Sequence, residues 1–149
     1  MKSVSDLLAE VRAGESTLLD GPVRRVEVVS LRVRRGGLWL TEVRQVLRDG
    51  SERTRAAPPS EKRKPGETVA ETAARCVREE LGREATAVDA ASVSTREKHE
   101  VSPSYPGLPS HYRLHTVDVE VPDLPDGAFS TEETGDSAVV VHVWEWRKP

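Results

Sequence analysis

The spacing of apolar positions changes along this chain from two to about 3.6 and back, and each change marks an element. VRRVEVVSLRV, residues 23–33, puts Val26 and Val28 on one alternation set and Val29, Leu31 and Val33 on the other. That predicts a strand partly covered on both faces. After Gly36-Gly37, LWLTEVRQVL predicts a second strand, Asp49-Gly50 a hairpin turn, and SERTR the returning strand. AAPPSEKRKPG reads as a loop, because its prolines fix φ and remove donors. The period then becomes helical: Ala70, Ala73, Ala74, Val77 and Leu81 share one face of a helix over 69–81. Thr68-x-x-Glu71 caps its start and Gly82 its end.

Beyond the helix, ATAVDAASVSTREKHE predicts strand and turn, and VSPSYPGLPSHY, broken by prolines, predicts irregular chain. HTVDVEV is the cleanest alternation, with His115, Val117, Val119 and Val121 on one face. PDLPDGAFSTEETGD reads as irregular. VVVHVWEW closes the pattern as a strand with Val140, His142, Trp144 and Trp146 on one face, read as packing. At the other end, Ser3 and Gly14 bracket a short helix over 4–13 with Leu7, Leu8 and Val11 as its stripe. Strands on both sides of one strong helix, with a second short helix, predict an α/β fold: a mixed sheet with helices packed on its faces.

Length and composition narrow this picture. A chain of 149 residues suits a single domain over 1–149 and buries roughly two thirds of its unfolded surface. The net charge of −3 gives no field for nucleic acid or an anionic membrane, so neither is an expected partner. The local run Arg24-Arg25, Arg32, Arg34-Arg35 is read as a solvated strand face. One cysteine excludes an internal disulfide and makes the cytoplasm the default location. No run approaches about 18 apolar residues, so no membrane helix is expected.

Chemistry concentrates on the helix. With Arg75 at zero, helical geometry puts Glu79 near ~40°, Cys76 near ~100° and Glu80 near ~140°. Cys76 then lies between the two glutamates, at the border with the core. Glu80 is the acid nearest the buried face and the one whose pKa should be perturbed. A thiol flanked by carboxylates should titrate high, which makes Cys76 a small filler rather than a nucleophile. Read alone, the i,i+4 pairs Glu71–Arg75 and Arg75–Glu79 also describe a salt-bridged solvent face.

The preceding loop adds a motif. PPSEKRKPGETVAETAARCVREELG resembles the Nudix box, in which glycine, five residues, glutamate, seven residues, Arg-Glu, an aliphatic residue, any residue, Glu-Glu, any residue, glycine and an aliphatic residue follow one another. Glu67 takes the first glutamate position, and Arg75, Val77, Glu79, Glu80 and Gly82 fall in step with no insertion. Glu61 stands at the opening glycine, Cys76 at the glutamate of Arg-Glu, and Arg83 at the last aliphatic position.

The resemblance, confined to residues 61–83, implies a single-domain Nudix-like α/β/α sandwich. It makes Arg75, Glu79 and Glu80 the catalytic candidates, with Glu79 and Glu80 holding a divalent metal, usually Mg²⁺. Because a thiol is a poor partner for a hard cation, Mg²⁺ should bind weakly or not at all unless Glu61, Glu67, Glu71 or Glu132–Glu133 makes up the charge.

The stiff stretch SPSYPGLPSHYRLH offers Tyr105, His111 and Tyr112 as substrate-binding candidates. Glu97, His99 and Glu100 form a titratable cluster at a strand end, read as solvated. The expected function is a divergent Nudix hydrolase of a nucleoside diphosphate-linked or other phosphoanhydride small molecule. Its alternative is a Nudix-fold protein without that activity: a metabolite- or nucleotide-binding module, or a metal-independent acid–base enzyme such as an isomerase or cyclase. A homodimer is left open.

Overall fold

The computed structural model describes residues 17–19, 23–101 and 109–149. The helix expected over 4–13 and the candidate Tyr105 lie outside them.

The described residues form two five-stranded sheets. In the first, β1 (Thr17–Leu19) and β6 (Ser60–Lys62) both pair antiparallel with one edge of β2 (Val23–Arg32). The other edge of β2 runs parallel to β8 (Pro109–Glu120), which pairs antiparallel with β7 (Ala87–Val101). This is the mixed sheet the patterning predicts. In the second, β4 (Leu38–Leu47) lies between β10 (Val139–Arg147) on one edge and both β3 (Arg34–Arg35) and β5 (Glu52–Ala57) on the other. β9 (Phe129–Glu132) adds to β10.

Three stretches read as irregular contain strand: β6, β9 and the start of β8. Each is short or proline-bearing and is set by its neighbour rather than by its own pattern. Ser60–Lys62 pair with Ser30–Val28, and Phe129–Glu132 with Trp144–Val141. Pro109 sits at the first position of its strand, where a missing donor costs least.

α1 (Val69–Cys76) runs on into a π turn, Val77–Leu81. Thr68 Oγ1 accepts from the Glu71 amide at 3.1 Å and Glu71 Oε1 from the Thr68 amide at 3.0 Å, the reciprocal cap its sequence predicts. Gly82 closes the helix at φ 62°, a conformation that favours glycine. Ala73, Cys76, Val77 and Leu81 are fully buried against Val29 and Leu31 of β2, Val117 and Val119 of β8, and Trp144 of β10. Cys76 is therefore inside the core, not at the border of an acidic face.

The basic run is not simply solvated. Arg24 is buried and donates to the Tyr112 hydroxyl at 3.0 Å, and Arg32 pairs with Asp118. Arg34 lies over the Trp39 ring, and Arg35 lies over the Trp146 ring.

Glu27 of β2 anchors the segment that leads into the helix. Its carboxylate accepts from Arg63 Nε at 2.9 Å and Nη2 at 3.1 Å, and faces His115 Nε2 at 3.0 Å. The Arg63 bonds, opposed by burial and aided by His115, hold Glu27 down at about 2 against an ordinary 4.5. A carboxylate depressed on folding stabilises the fold above its unfolded pKa and loses that contribution as pH falls toward the folded value. Between pH 4.5 and about 2, wild type should therefore lose urea stability more steeply than Glu27→Gln; parallel acid limbs would contradict the anchor.

Candidate functional site

The helix, three strands and the segment after β9 deliver five glutamates and one imidazole to the wall of a cavity of about 510 Å³, which Asp136 also lines. α1 and its π turn supply Glu79 and Glu80, β6 supplies Glu61, β4 supplies Glu42, β10 supplies His142, and the segment after β9 supplies Glu133. A β-bulge between Glu42 and Arg44 buries both Glu42 and Gln45.

Arg75 fixes the entry side. Its guanidinium donates to Glu67 at 2.8 and 3.0 Å, to the Lys62 carbonyl at 2.7 Å and to Glu79 at 3.2 Å, and lies 3.7 Å from Glu61. The Arg75 bonds hold Glu67 at about 2. Arg75 itself does not line the cavity. Glu67 likewise serves the loop, accepting from the Lys64 amide at 2.9 Å and the Thr72 hydroxyl at 3.2 Å.

Glu80 is almost buried. Its Oε2 accepts from the Cys76 thiol at 2.9 Å, and Oε1 lies 3.9 Å from His142 Nε2. Burial raises it to about 8, with Cys76 and His142 opposing and the Glu61 and Glu42 charges adding. Burial, then Glu80, also pushes the Cys76 thiol up, as its flanking acids predict. Glu61 is raised to about 7, by burial first; Arg75 opposes this, and Glu79 and Glu133 reinforce it.

His142 spans the floor, Nδ1 on Glu42 and Nε2 on Glu133 at 2.9 Å. Burial alone would lower its pKa, but the bonds to Glu133 and Glu42 outweigh that and raise it to about 9. Glu42 also accepts from Gln45 Nε2 at 2.8 Å and lies 2.9 Å from Arg55 Nε.

The opposite wall is the turn after β9. The Thr134 amide donates to the Glu79 carbonyl at 3.0 Å and the Gly135 amide to Glu133 Oε2 at 2.7 Å. A side chain at Gly135 would collide with the acids, since its Cβ would fall 2.7 Å from Glu79 Oε2 and 2.9 Å from Glu133 Oε2. Thr131 donates to the Glu80 carbonyl and accepts from Trp144 Nε1 at 2.8 Å, tying the π turn to the core.

A family model described as NUDIX domain matches residues 21–148. The chain belongs to the NUDIX family. Among solved structures it is similar to a NUDIX hydrolase from Nitrosomonas europaea, with 19% identity, TM-score 0.48, and 81% of this chain and 72% of that one covered. It is also similar to the E. coli ORF135 protein (20%, TM-score 0.43, 85% and 77% covered) and to a C. elegans Ap4A hydrolase (15%, 0.40, 83% and 80%). No curated protein sequence matches. No helix among the described residues is long and apolar enough to cross a membrane.

Of the residues singled out in the NUDIX chain's sequence, Glu79 and Glu80 meet at the cavity with Arg75 bound to the first. His111 and Tyr112 lie on β8 and line no part of it. Sequence reading missed Glu42 and assigned His142 to packing. Each carried one signal: a polar residue on the alternation face of a buried apolar one, Leu40 for Glu42 and Trp144 for His142.

The donor set fits a divalent cation. Glu42 and Glu80 each offer an oxygen within 4.8 Å of the other, while His142, bonded through both ring nitrogens to carboxylates, serves as their cationic partner. With Glu61, Glu79 and Glu133 beside them, the five carboxylates outnumber the cations Arg55, Arg75 and His142 that touch them. Burial first, and the neighbouring carboxylate charges after it, raise Glu61 and Glu80.

Cys76→Glu, which restores the family letter, would place a second carboxylate in the core against Glu80. In chelator the variant should lose on the order of 3 kcal/mol of unfolding free energy, and Mn²⁺ should restore part of it. Equal stability of variant and wild type in chelator would show that position 76 opens to the cavity instead.

Proposed function

We propose that the protein is a divalent-cation-dependent hydrolase of a phosphoanhydride in a small molecule, of the nucleoside diphosphate-linked kind. One observation carries the reading: Glu61, which occupies the glycine position of the box, stands among Glu79, Glu80 and Glu133. It supplies the carboxylate that position 76 lacks. Oxygen-rich donor sets suit Mg²⁺ and Mn²⁺, and Glu61, Glu79, Glu80 and Glu133 are the residues that would hold the ion. When bound, such a cation neutralises phosphate charge and activates water.

The chain's own groups do the rest. Arg75 orients Glu79. His142, pinned by Glu42, aims Glu133 into the cavity. Arg53, Arg55 and Lys62 also line the cavity and give a diphosphate cationic partners. Its volume suits a small molecule.

A metal-free acid–base enzyme is the second reading. It is favoured by the buried Glu80 carboxyl, held at about 8 next to His142.

Calorimetric Mn²⁺ and Mg²⁺ titrations of wild type, Glu61→Gln and Glu80→Gln, with phosphate release from nucleoside diphosphate derivatives, separate the two. Wild type should bind the cation and require it for turnover, and each variant should bind at least about tenfold more weakly. Turnover that survives chelation, or cation affinity unchanged in Glu61→Gln, would sink the proposal.

A further inference from the structure

A second constellation lies on the ladder between β7 and β8, and none of its residues lines the carboxylate cavity. Along β8 the face that buries Val119 and Val117 continues through His115 and Arg113 to His111; along β7 it continues through Thr95 and Glu97 to His99. The core ends and the face turns polar.

His99 and His111 are direct cross-strand partners in the antiparallel register, and their rings stack at 4.2 Å between centroids. Glu97 reaches the same point along the diagonal. Arg113 occupies one of its oxygens, with Nη2 at 3.2 Å and Nε at 3.3 Å from Oε1. The other, Oε2, is turned to His111 Nε2 at 3.6 Å, beyond hydrogen-bond reach.

From this geometry we infer that Glu97, His99 and His111 form a Zn²⁺-class metal site, separate from the carboxylate cavity. One donor atom from each lies within 4.8 Å of the others. Independently, His111 Nε2 is buried and makes no hydrogen bond, and a buried polar atom without a partner calls for a missing water or ion.

The separation fits that role. Two ligands each about 2.0–2.1 Å from a tetrahedral Zn²⁺ stand about 3.3 Å apart, close to the gap between Glu97 and His111. Two imidazoles and one carboxylate are a borderline donor set, suited to Zn²⁺ and poorly suited to Mg²⁺. The stacked rings must turn for their lone pairs to converge, and His99, which is exposed, is free to do so. Arg113 acts as a positioning residue, because by holding Oε1 it leaves Oε2 for the ion. An ion there would tie β7 to β8 beyond the end of the hydrophobic core.

Co²⁺, with the absorption of a tetrahedral d⁷ ion, reports the site directly, and Zn²⁺ competition measures its affinity. The titrations use the full chain as wild type, His99→Ala, His111→Ala and the cavity variant Glu61→Gln. His99 is exposed, so His99→Ala keeps the fold even if His111→Ala does not. Wild type should bind Co²⁺ and release it to Zn²⁺. Both histidine variants should need at least about tenfold more Co²⁺ to develop the tetrahedral band, and Glu61→Gln should keep that band even though it loses oxygen-ligated binding in the cavity. No saturable tetrahedral band in wild type, or a wild-type band in His99→Ala, overturns the assignment. So does loss of the band in Glu61→Gln alone, which would move the ion to the cavity.

Discussion

The Arg75 guanidinium collects Glu67 from the loop before the helix, the Lys62 carbonyl from β6 and Glu79 from the π turn, with Glu61 alongside. A planar fork with fixed donor directions can satisfy several acceptors at once only if all are in register. The position of the helix relative to β6 is therefore set by one side chain. That position brings Glu61 into the same cavity as Glu79 and Glu80. An ammonium, as a point charge, would satisfy the same total charge without fixing the same geometry.

The acids held there are more crowded than the fold needs. A hydrophobic core gains nothing from Glu80 beside Cys76, and His142 between Glu42 and Glu133 is a buried ion network of the sort that stabilises weakly or not at all compared with apolar packing. Such a network has a use when something enters it. The thiol at position 76 changes how the site is built. With a small group there, the helix packs flush on Val29 and Leu31, and acidity arrives from the adjacent strand instead of from within the helix.

Much of this could be read in advance, and the limits have physical causes. The capping box, the Gly82 stop, the strands at 38–47 and 115–121 and the family motif are local patterns, legible wherever a residue's role depends on its sequence neighbours. β6 and β9 were not legible, because strands of three and four residues owe their conformation to a partner far away in sequence. The π turn was likewise hidden, and so the fully buried side of Cys76 looked like a border. Glu42 and His142 were overlooked because alternation tells which face a residue occupies, not what stands opposite. Glu27–Arg63 and Arg24–Tyr112 are contacts between elements with no shared local signature.

The parallel pairing of β2 with β8 sets the order in which the molecule can be made. Arg32 and Asp118, joined across that pair, are separated by 86 residues. Closing so long a loop costs chain entropy before any pairing repays it, and folds dominated by distant contacts form slowly. The hairpin of β4 and β5 and the capped helix can form early from local contacts. The sheet beneath the helix stays incomplete until β8 has been synthesised. During translation the acidic residues of the helix are therefore present well before β8, on which the helix packs, and before β10, whose His142 spans the cavity floor, so the finished cavity is among the last features the chain acquires.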